Sequence, residues 1–97
     1  MTSPIIGYAR TSTVDQDAGL EAQHRDLKAA GCTKVFSEQL SSVATVRPQL
    51  EAAMDYVREG DTLVVTKPDR LARSTSDLLG ITERLKAKGV TLRILSM

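Results

Sequence analysis

The fold is decided by the stretch Arg58-Glu59-Gly60-Asp61-Thr62-Leu63-Val64-Val65, in which a helical pattern ends at glycine and an apolar run follows. Residues 29–36 and 87–94 repeat this pattern around Gly31 and Gly89. Glycine just after a helix takes the left-handed conformation at little cost, so it ends helices well. Three such junctions predict a chain in which helices alternate with strands.

Apolar residues recur at helical spacing before each of these glycines, and Ile5 to Ala9 forms a further apolar run at the start. The three helical sets are Leu20, Gln23, Leu27 and Ala30; Leu50, Met54 and Val57; Leu78, Ile81 and Leu85. The predicted order is β-α-β-α-β-α-β. Such alternation predicts a three-layer α/β/α fold with a mainly parallel sheet and a flavodoxin-like topology.

Composition limits the class of protein. The 97 residues carry 41% hydrophobic and 26% charged residues, which fits one globular domain over residues 1–97. No apolar run is long enough to span a membrane, and the N-terminus does not resemble a signal peptide. The single cysteine, Cys32, allows no internal disulfide and no CxxC zinc motif. We therefore expect a cytoplasmic, metal-free protein.

Arginines cluster where sites form in parallel sheets, at the carboxyl ends of strands. Arg10-Thr11-Ser12-Thr13 follows the first strand as a predicted loop, and residues 67–73 follow the third strand. The second loop brings Asp69, Arg70 and Arg73. Arg70 and Arg73 share a helical face only if a helix has begun by Leu71. The polar loop 41–47 adds Arg47 if it folds over the same edge.

One hydroxyl among up to four guanidiniums suits a phosphate site with a nucleophile. Each arginine about 4 Å from a phosphate contributes on the order of 4 kcal/mol at an effective dielectric of 20, before desolvation. Simpler interpretations stay open from the residues alone: Arg10 and Asp69 as an ion pair, and Ser12 as a helix cap or an ordinary loop serine. His24, the only histidine, is expected at the polar start of the first helix and on the surface. The sequence has no nucleophile elbow, Walker A loop or G-x-G-x-x-G motif.

The end of the first strand carries the stretch Gly7-Tyr8-Ala9-Arg10-Thr11-Ser12-Thr13, which is similar to the motif G-Y-x-R-V-S-T. That motif is the signature of the serine site-specific recombinases, so the chain resembles this resolvase/invertase family. The resemblance continues through Leu20-Glu21-Ala22-Gln23, Arg47-Pro48-Gln49-Leu50, residues 58–65 and Asp69-Arg70-Leu71-Ala72-Arg73-Ser74. It covers nearly the whole chain in the family's order. Thr11, Pro68 and Ala72 depart mildly from the common residues at their positions.

The resemblance implies a role for each matching residue. Ser12 is the implied nucleophile, which attacks a DNA phosphodiester and leaves a 5′-phosphoserine link and a free 3′-hydroxyl. The implied phosphate-binding arginines are Arg10, Arg47, Arg70 and Arg73. Asp69 has an implied proton-transfer or orienting role, and Gln23 and Ser41 match supporting polar residues. The general base is not indicated.

The resemblance also implies partners. We expect double-stranded DNA as substrate, a homodimer and tetramer in the full-length protein, no small-molecule cofactor, and association with the nucleoid during DNA binding. Family members continue after the fourth strand with a long dimerisation helix and a DNA-binding domain. We therefore expect residues 1–97 to be a catalytic core that recombines little DNA alone.

Two other classes of function stay open. One is a module without catalysis that only oligomerises, or a degenerate recombinase fragment. The other is a small phosphate-binding α/β domain, which would need a phosphorylated ligand and no DNA. The joint presence of Ser12 and the four arginines favours the recombinase.

Overall fold

The computed structural model describes residues 4–11, 17–40, 46–72 and 74–96. Eight elements follow one another in these ranges: β1 (Ile5–Thr11), α1 (Asp17–Ala29), β2 (Lys34–Gln39), α2 (Pro48–Tyr56), β3 (Thr62–Val65), α3 (Pro68–Leu71), α4 (Thr75–Ala87) and β4 (Thr91–Ile94). The strands form one all-parallel sheet in the order β2-β1-β3-β4. The predicted three-layer α/β fold is confirmed, and this order is the start of the flavodoxin-like arrangement.

The central strands are those whose sequences are most continuously apolar. Residues 6–11 of β1 and 63–65 of β3 are buried, whereas β2 and β4 lie at the edges and are less buried. A strand flanked on both sides and covered on both faces has no solvent side, which explains the absence of alternation.

The core lies in two layers, one on each face of the sheet. The larger layer packs α2 and α4 against the sheet through Leu50, Met54, Ile81 and Leu85. The smaller layer packs α1 on the other face, with Leu27 at its centre. Cys32 is half-buried against this smaller layer, as expected of a small apolar filler.

The helix ends follow the sequence. Gly31, Gly60 and Gly89 all have positive φ, at 96°, 92° and 75°. Pro48 begins α2, and the Ser74 hydroxyl accepts a hydrogen bond from the amide of Asp77 to cap α4. The three glycine junctions predicted from the sequence are therefore confirmed.

Three expectations need correction. β1 runs to Thr11, so Arg10 and Thr11 lie in the sheet rather than in a loop, because β2 extends to Gln39 and pairs with them. The third helical segment is divided: α3 ends at Leu71, where Ala72 is extended, and α4 begins only at Thr75, whereas the sequence predicted one helix here. His24 lies in the middle of α1 and is half-buried.

None of the helices in the described ranges combines the length and the apolar character that a bilayer crossing requires.

Candidate active site

The predicted site residues fall into two groups. Arg10, Gln23, Arg47, Asp69 and Arg70 are described, and the structure brings them together at the carboxyl end of β1. Ser12, Ser41 and Arg73 lie outside the described residues. Their placement and roles stay predictions.

Arg10 is the centre of the group. Its side chain is almost fully buried at the end of β1, with 6% of the residue exposed. One terminal nitrogen donates to the carbonyl of Leu40 at 3.1 Å, and the other donates to the carbonyl of Asp69 at 2.8 Å. The guanidinium therefore ties the end of β2 to α3. Because it meets the main chain of Asp69, the simple ion pair considered from the sequence is not the contact that forms.

Gln23 holds the main chain of Arg10 from the other face of the sheet. Its amide oxygen accepts from the Arg10 amide at 3.1 Å, and its amide nitrogen donates to the Arg10 carbonyl at 2.9 Å. Both groups are buried, so this pair of bonds replaces the water that the backbone would otherwise need. The Arg10 carbonyl also accepts a long 3.4 Å bond from the Arg70 side chain.

Arg47 reaches the same region from the start of α2. One terminal nitrogen donates to the Leu71 carbonyl at 2.6 Å, and the other pairs with the Asp77 carboxylate at 2.8 Å. The carbonyls of a helix four residues long lack partners within that helix. Arg10 and Arg47 therefore supply donors to two carbonyls of α3, those of Asp69 and Leu71.

Asp69 places its side chain differently from its carbonyl. The residue is exposed and lines a cleft of about 230 Å³ between α3 and α4, together with Pro68, Ser74 and Leu78. The residue is thus accessible to solvent on the side of the cleft, while its carbonyl contacts Arg10. Pro68 begins α3, where its missing N–H is not needed, so it supports this turn of helix rather than disturbing it.

Glu38 is a residue that sequence reasoning missed. Its carboxylate accepts from the Tyr8 hydroxyl at 2.6 Å and from the amides of Gln49 and Leu50 at 3.1 and 3.0 Å. It thereby caps α2 from the neighbouring strand and fixes the helix start that carries Arg47. The sequence indicated such a residue only indirectly. Because α2 begins at Arg47-Pro48 without a Ser, Thr, Asp or Asn cap, its first free amides need an acceptor from another element.

Tyr8 lies two residues before Arg10 on β1 and shares this environment. Burial raises the pKa of the Tyr8 phenol above its usual range, and the hydrogen bond and charge of Glu38 raise the pKa further. The positive charges of Arg47 and Arg10 act in the opposite direction. Tyr8 is therefore a neutral hydrogen-bond donor at physiological pH, and both arginines lie close enough for their fields to reach it.

Three guanidiniums thus converge on the end of β1 and on α3. The site has the character of a phosphate cradle, because arginine presents several donors in a rigid fork that matches phosphate oxygens. The main-chain carbonyls that hold these side chains are neutral, so the positive charge of Arg10 and Arg70 is not cancelled by these contacts.

The comparisons with known proteins identify the family of this chain. The family model "Resolvase, N terminal domain" matches residues 5–97. The chain is 50% identical over 88 residues to the integrase-like protein y4lS of Sinorhizobium fredii, which covers 90% of this chain and 47% of that protein. It is 42% identical over 92 residues to the serine recombinase gin of Escherichia phage Mu, which covers 95% of this chain and 47% of the relative.

Solved structures of recombinases share the fold of this chain. A resolvase family site-specific recombinase from Streptococcus pneumoniae superimposes with a TM-score of 0.79 at 25% identity, over 98% of this chain and 73% of that one. The chain belongs to the resolvase family and carries its N-terminal domain. It spans about half the length of the curated relatives it matches.

Proposed function

We propose that this chain is the catalytic core of a serine recombinase, which cuts and rejoins double-stranded DNA through Ser12. The observation that carries the proposal is the convergence of Arg10, Arg47 and Arg70 on the end of β1, one residue before Ser12 in sequence. Membership of the resolvase family supports the same conclusion.

The proposed reaction is the one that the resemblance to serine recombinases implies. The Ser12 oxygen attacks the phosphorus and loses its proton, the bond from phosphorus to the 3′-oxygen breaks, and that oxygen takes up a proton. The product is a 5′-phosphoserine link and a free 3′-hydroxyl. The arginines stabilise the charge on the phosphoryl oxygens during the transfer, an effect worth roughly 10³–10⁵ in rate for one arginine in comparable phosphoryl transfers. Rejoining is the same step in reverse, with a 3′-hydroxyl of the exchanged strand as the nucleophile.

Asp69, Gln23, Ser41 and Arg73 complete the proposed site. The proposed role of the exposed Asp69 carboxylate is to orient a guanidinium or to exchange a proton with the reacting oxygens, as the resemblance implies. Gln23 acts through the main chain of Arg10, so it is a positioning residue. We further propose that the full-length protein works as a dimer and tetramer on DNA in the cytoplasm.

A chimaera provides the test, because the chain covers half the length of its relatives. Residues 1–97 would replace the matching segment of the phage Mu serine recombinase, and the DNA would carry that relative's site. A 3′-bridging sulfur at the scissile phosphate makes a better leaving group and a poor nucleophile for rejoining, so the covalent complex should accumulate. We expect a protein–DNA band on denaturing gels, absent in Ser12→Ala.

Other outcomes identify the competing functions. No covalent band despite tight DNA binding would refute the proposal and favour an oligomerisation module or a degenerate enzyme. Saturable binding of a small phosphorylated ligand, with no dependence on DNA, would favour a phosphate-binding domain. The variant Arg25→Ala is the matched arginine control. Arg25 is exposed on α1, which packs on the other face of the sheet, so this variant should cleave normally.

A further inference from the structure

The partners of Arg47 differ in charge from those of Arg10 and Arg70. Among the described residues, the side chains of Arg10 and Arg70 donate to main-chain carbonyls, which are neutral. Arg47 donates to one carbonyl and also to the carboxylate of Asp77, at 2.8 Å. The side chains of this ion pair are only 11% and 19% exposed, so water screens it weakly.

The position of Asp77 explains why the pair is stable. Asp77 lies in the first turn of α4, whose N-terminus is capped by Ser74 and favours a negative side chain. Arg47 stands at the start of α2, fixed there by Glu38, which binds the next two amides of the helix. Both charged groups are therefore anchored on helix ends that are held by independent contacts.

A phosphate bound to Arg47 would lie near the Asp77 carboxylate. Among the described residues, Arg47 gives two of its five N–H donors to the Leu71 carbonyl and to Asp77, whose charge offsets part of the positive charge. A phosphate bound by other donors of the guanidinium would lie on the order of 7 Å from the carboxylate, where like charges repel. The ion pair thus weakens the attraction that Arg47 has for a phosphodiester.

We propose that Asp77 is a positioning residue that holds Arg47 against the end of α3 and lowers the affinity of Arg47 for phosphate. This inference rests on the proposed function, because it treats Arg47 as a phosphate-binding side chain. It adds a regulatory contact inside that site: Arg47 keeps its bond to Asp77, and the charge of Asp77 opposes the binding of a phosphodiester.

Dimethyl phosphate is the probe, because it carries one negative charge like a DNA diester and contains no strand to cleave. It would be titrated into the 97-residue chain at constant ionic strength, with the Nε–Hε signal of Arg47 followed by NMR. The variant Asp77→Asn keeps an oxygen acceptor but removes the charge. Coulomb's law at about 7 Å predicts tighter binding by about three-fold in bulk water and about fifty-fold at an effective dielectric of 20.

Three further variants separate charge from structure. Asp26→Asn makes the same change on α1, across the sheet, and should leave the affinity unchanged. Asp77→Glu keeps the negative charge, so its affinity for dimethyl phosphate should be close to that of the parent chain. A purely structural role of Asp77 would not predict this result. Asp77→Ser also lacks the charge and serves if Asp77→Asn does not fold.

Equal affinities in the parent chain and the uncharged variants would overturn the inference. So would weaker binding in those variants, or no saturable binding by any of them. These outcomes are separate from the cleavage test. Cleavage at Ser12 with no effect of Asp77 would refute only this inference, whereas tighter binding in Asp77→Asn without any cleavage would refute only the proposed recombinase activity.

Discussion

Glu38 joins the central strand to the helix that carries Arg47, and its removal tests how the site is held. The change Glu38→Ala deletes the acceptor of the Tyr8 hydroxyl and of two amides at the start of α2. Tyr8 is fully buried, so its hydroxyl would be left without a partner and without water. The variant should therefore destabilise the fold and release the start of α2 together.

The cost can be worked out from these contacts. A buried hydroxyl without a partner costs about 1–3 kcal/mol. Loss of a helix cap costs about 1 kcal/mol, and loss of a negative charge at the helix N-terminus costs about 0.3–1 kcal/mol. We expect Glu38→Ala to lower the free energy of unfolding by roughly 3 kcal/mol, which is a large share of the total for a domain of this size.

Urea unfolding followed by circular dichroism measures this loss. With a slope of about 1.5 kcal/mol per M, the midpoint should fall by about 2 M. In a Tyr8→Phe background, Glu38→Ala should cost only about 1–2 kcal/mol, since the hydroxyl is already gone. Glu51→Ala is the control, because its carboxylate pairs with Arg84 on the surface and should contribute less than about 1 kcal/mol. An equal cost in both backgrounds, or a loss below about 1 kcal/mol, would refute the reasoning.

Three further predictions concern individual positions. Thr11→Val should stabilise the chain by about 1 kcal/mol in thermal unfolding, because the buried Thr11 hydroxyl has no hydrogen-bond partner among the described residues. Thr11→Ser should not stabilise it, and a loss of stability in Thr11→Val would contradict the account. The raised pKa of Tyr8 means that its stabilisation is present below about pH 10 and is lost as the pH rises further. Above that pH, the free energy of unfolding of the parent chain should fall by up to about 1.4 kcal/mol per pH unit more than that of Tyr8→Phe. Parallel plots of unfolding free energy against pH for the two proteins would disprove this. Gly89→Ala should destabilise by about 1–2 kcal/mol, because φ is +75° and the new Cβ would lie 2.8 Å from Glu59 Cγ. Gly80→Ala lies in open space on α4 and should stabilise the chain by about 0.5–1 kcal/mol. A Gly80→Ala protein less stable than Gly89→Ala would contradict this reasoning.

Most of the fold could be predicted because local signals and packing agree. The three glycines after helices all take positive φ, and the two most apolar strands are the central ones. The end of β1 could not be predicted, because Arg10 and Thr11 are polar and their pairing depends on β2, which is far away in sequence. The break at Ala72 was hidden for a similar reason, since Arg47 stabilises the end of α3 from another helix.

The site was predictable as a set of residue types but not as a set of contacts. Arginines at strand ends indicated phosphate chemistry, and the structure gathers Arg10, Arg47 and Arg70 at one edge. The partners of these arginines are mainly carbonyls, which every residue has, so no sequence pattern could identify them. Glu38 was missed because its function as a cap appears only when β2 and α2 are adjacent.

The most direct test of the central claim identifies the residue that bonds to DNA. The covalent complex of the chimaera with its sulfur-substituted DNA would be digested with a nuclease and a protease, and the peptides would be sequenced by mass spectrometry. The account predicts a nucleotide 5′-phosphate on Ser12, absent from the Ser12→Ala protein. A nucleotide on another residue, such as Ser41 or Ser74, would contradict the account.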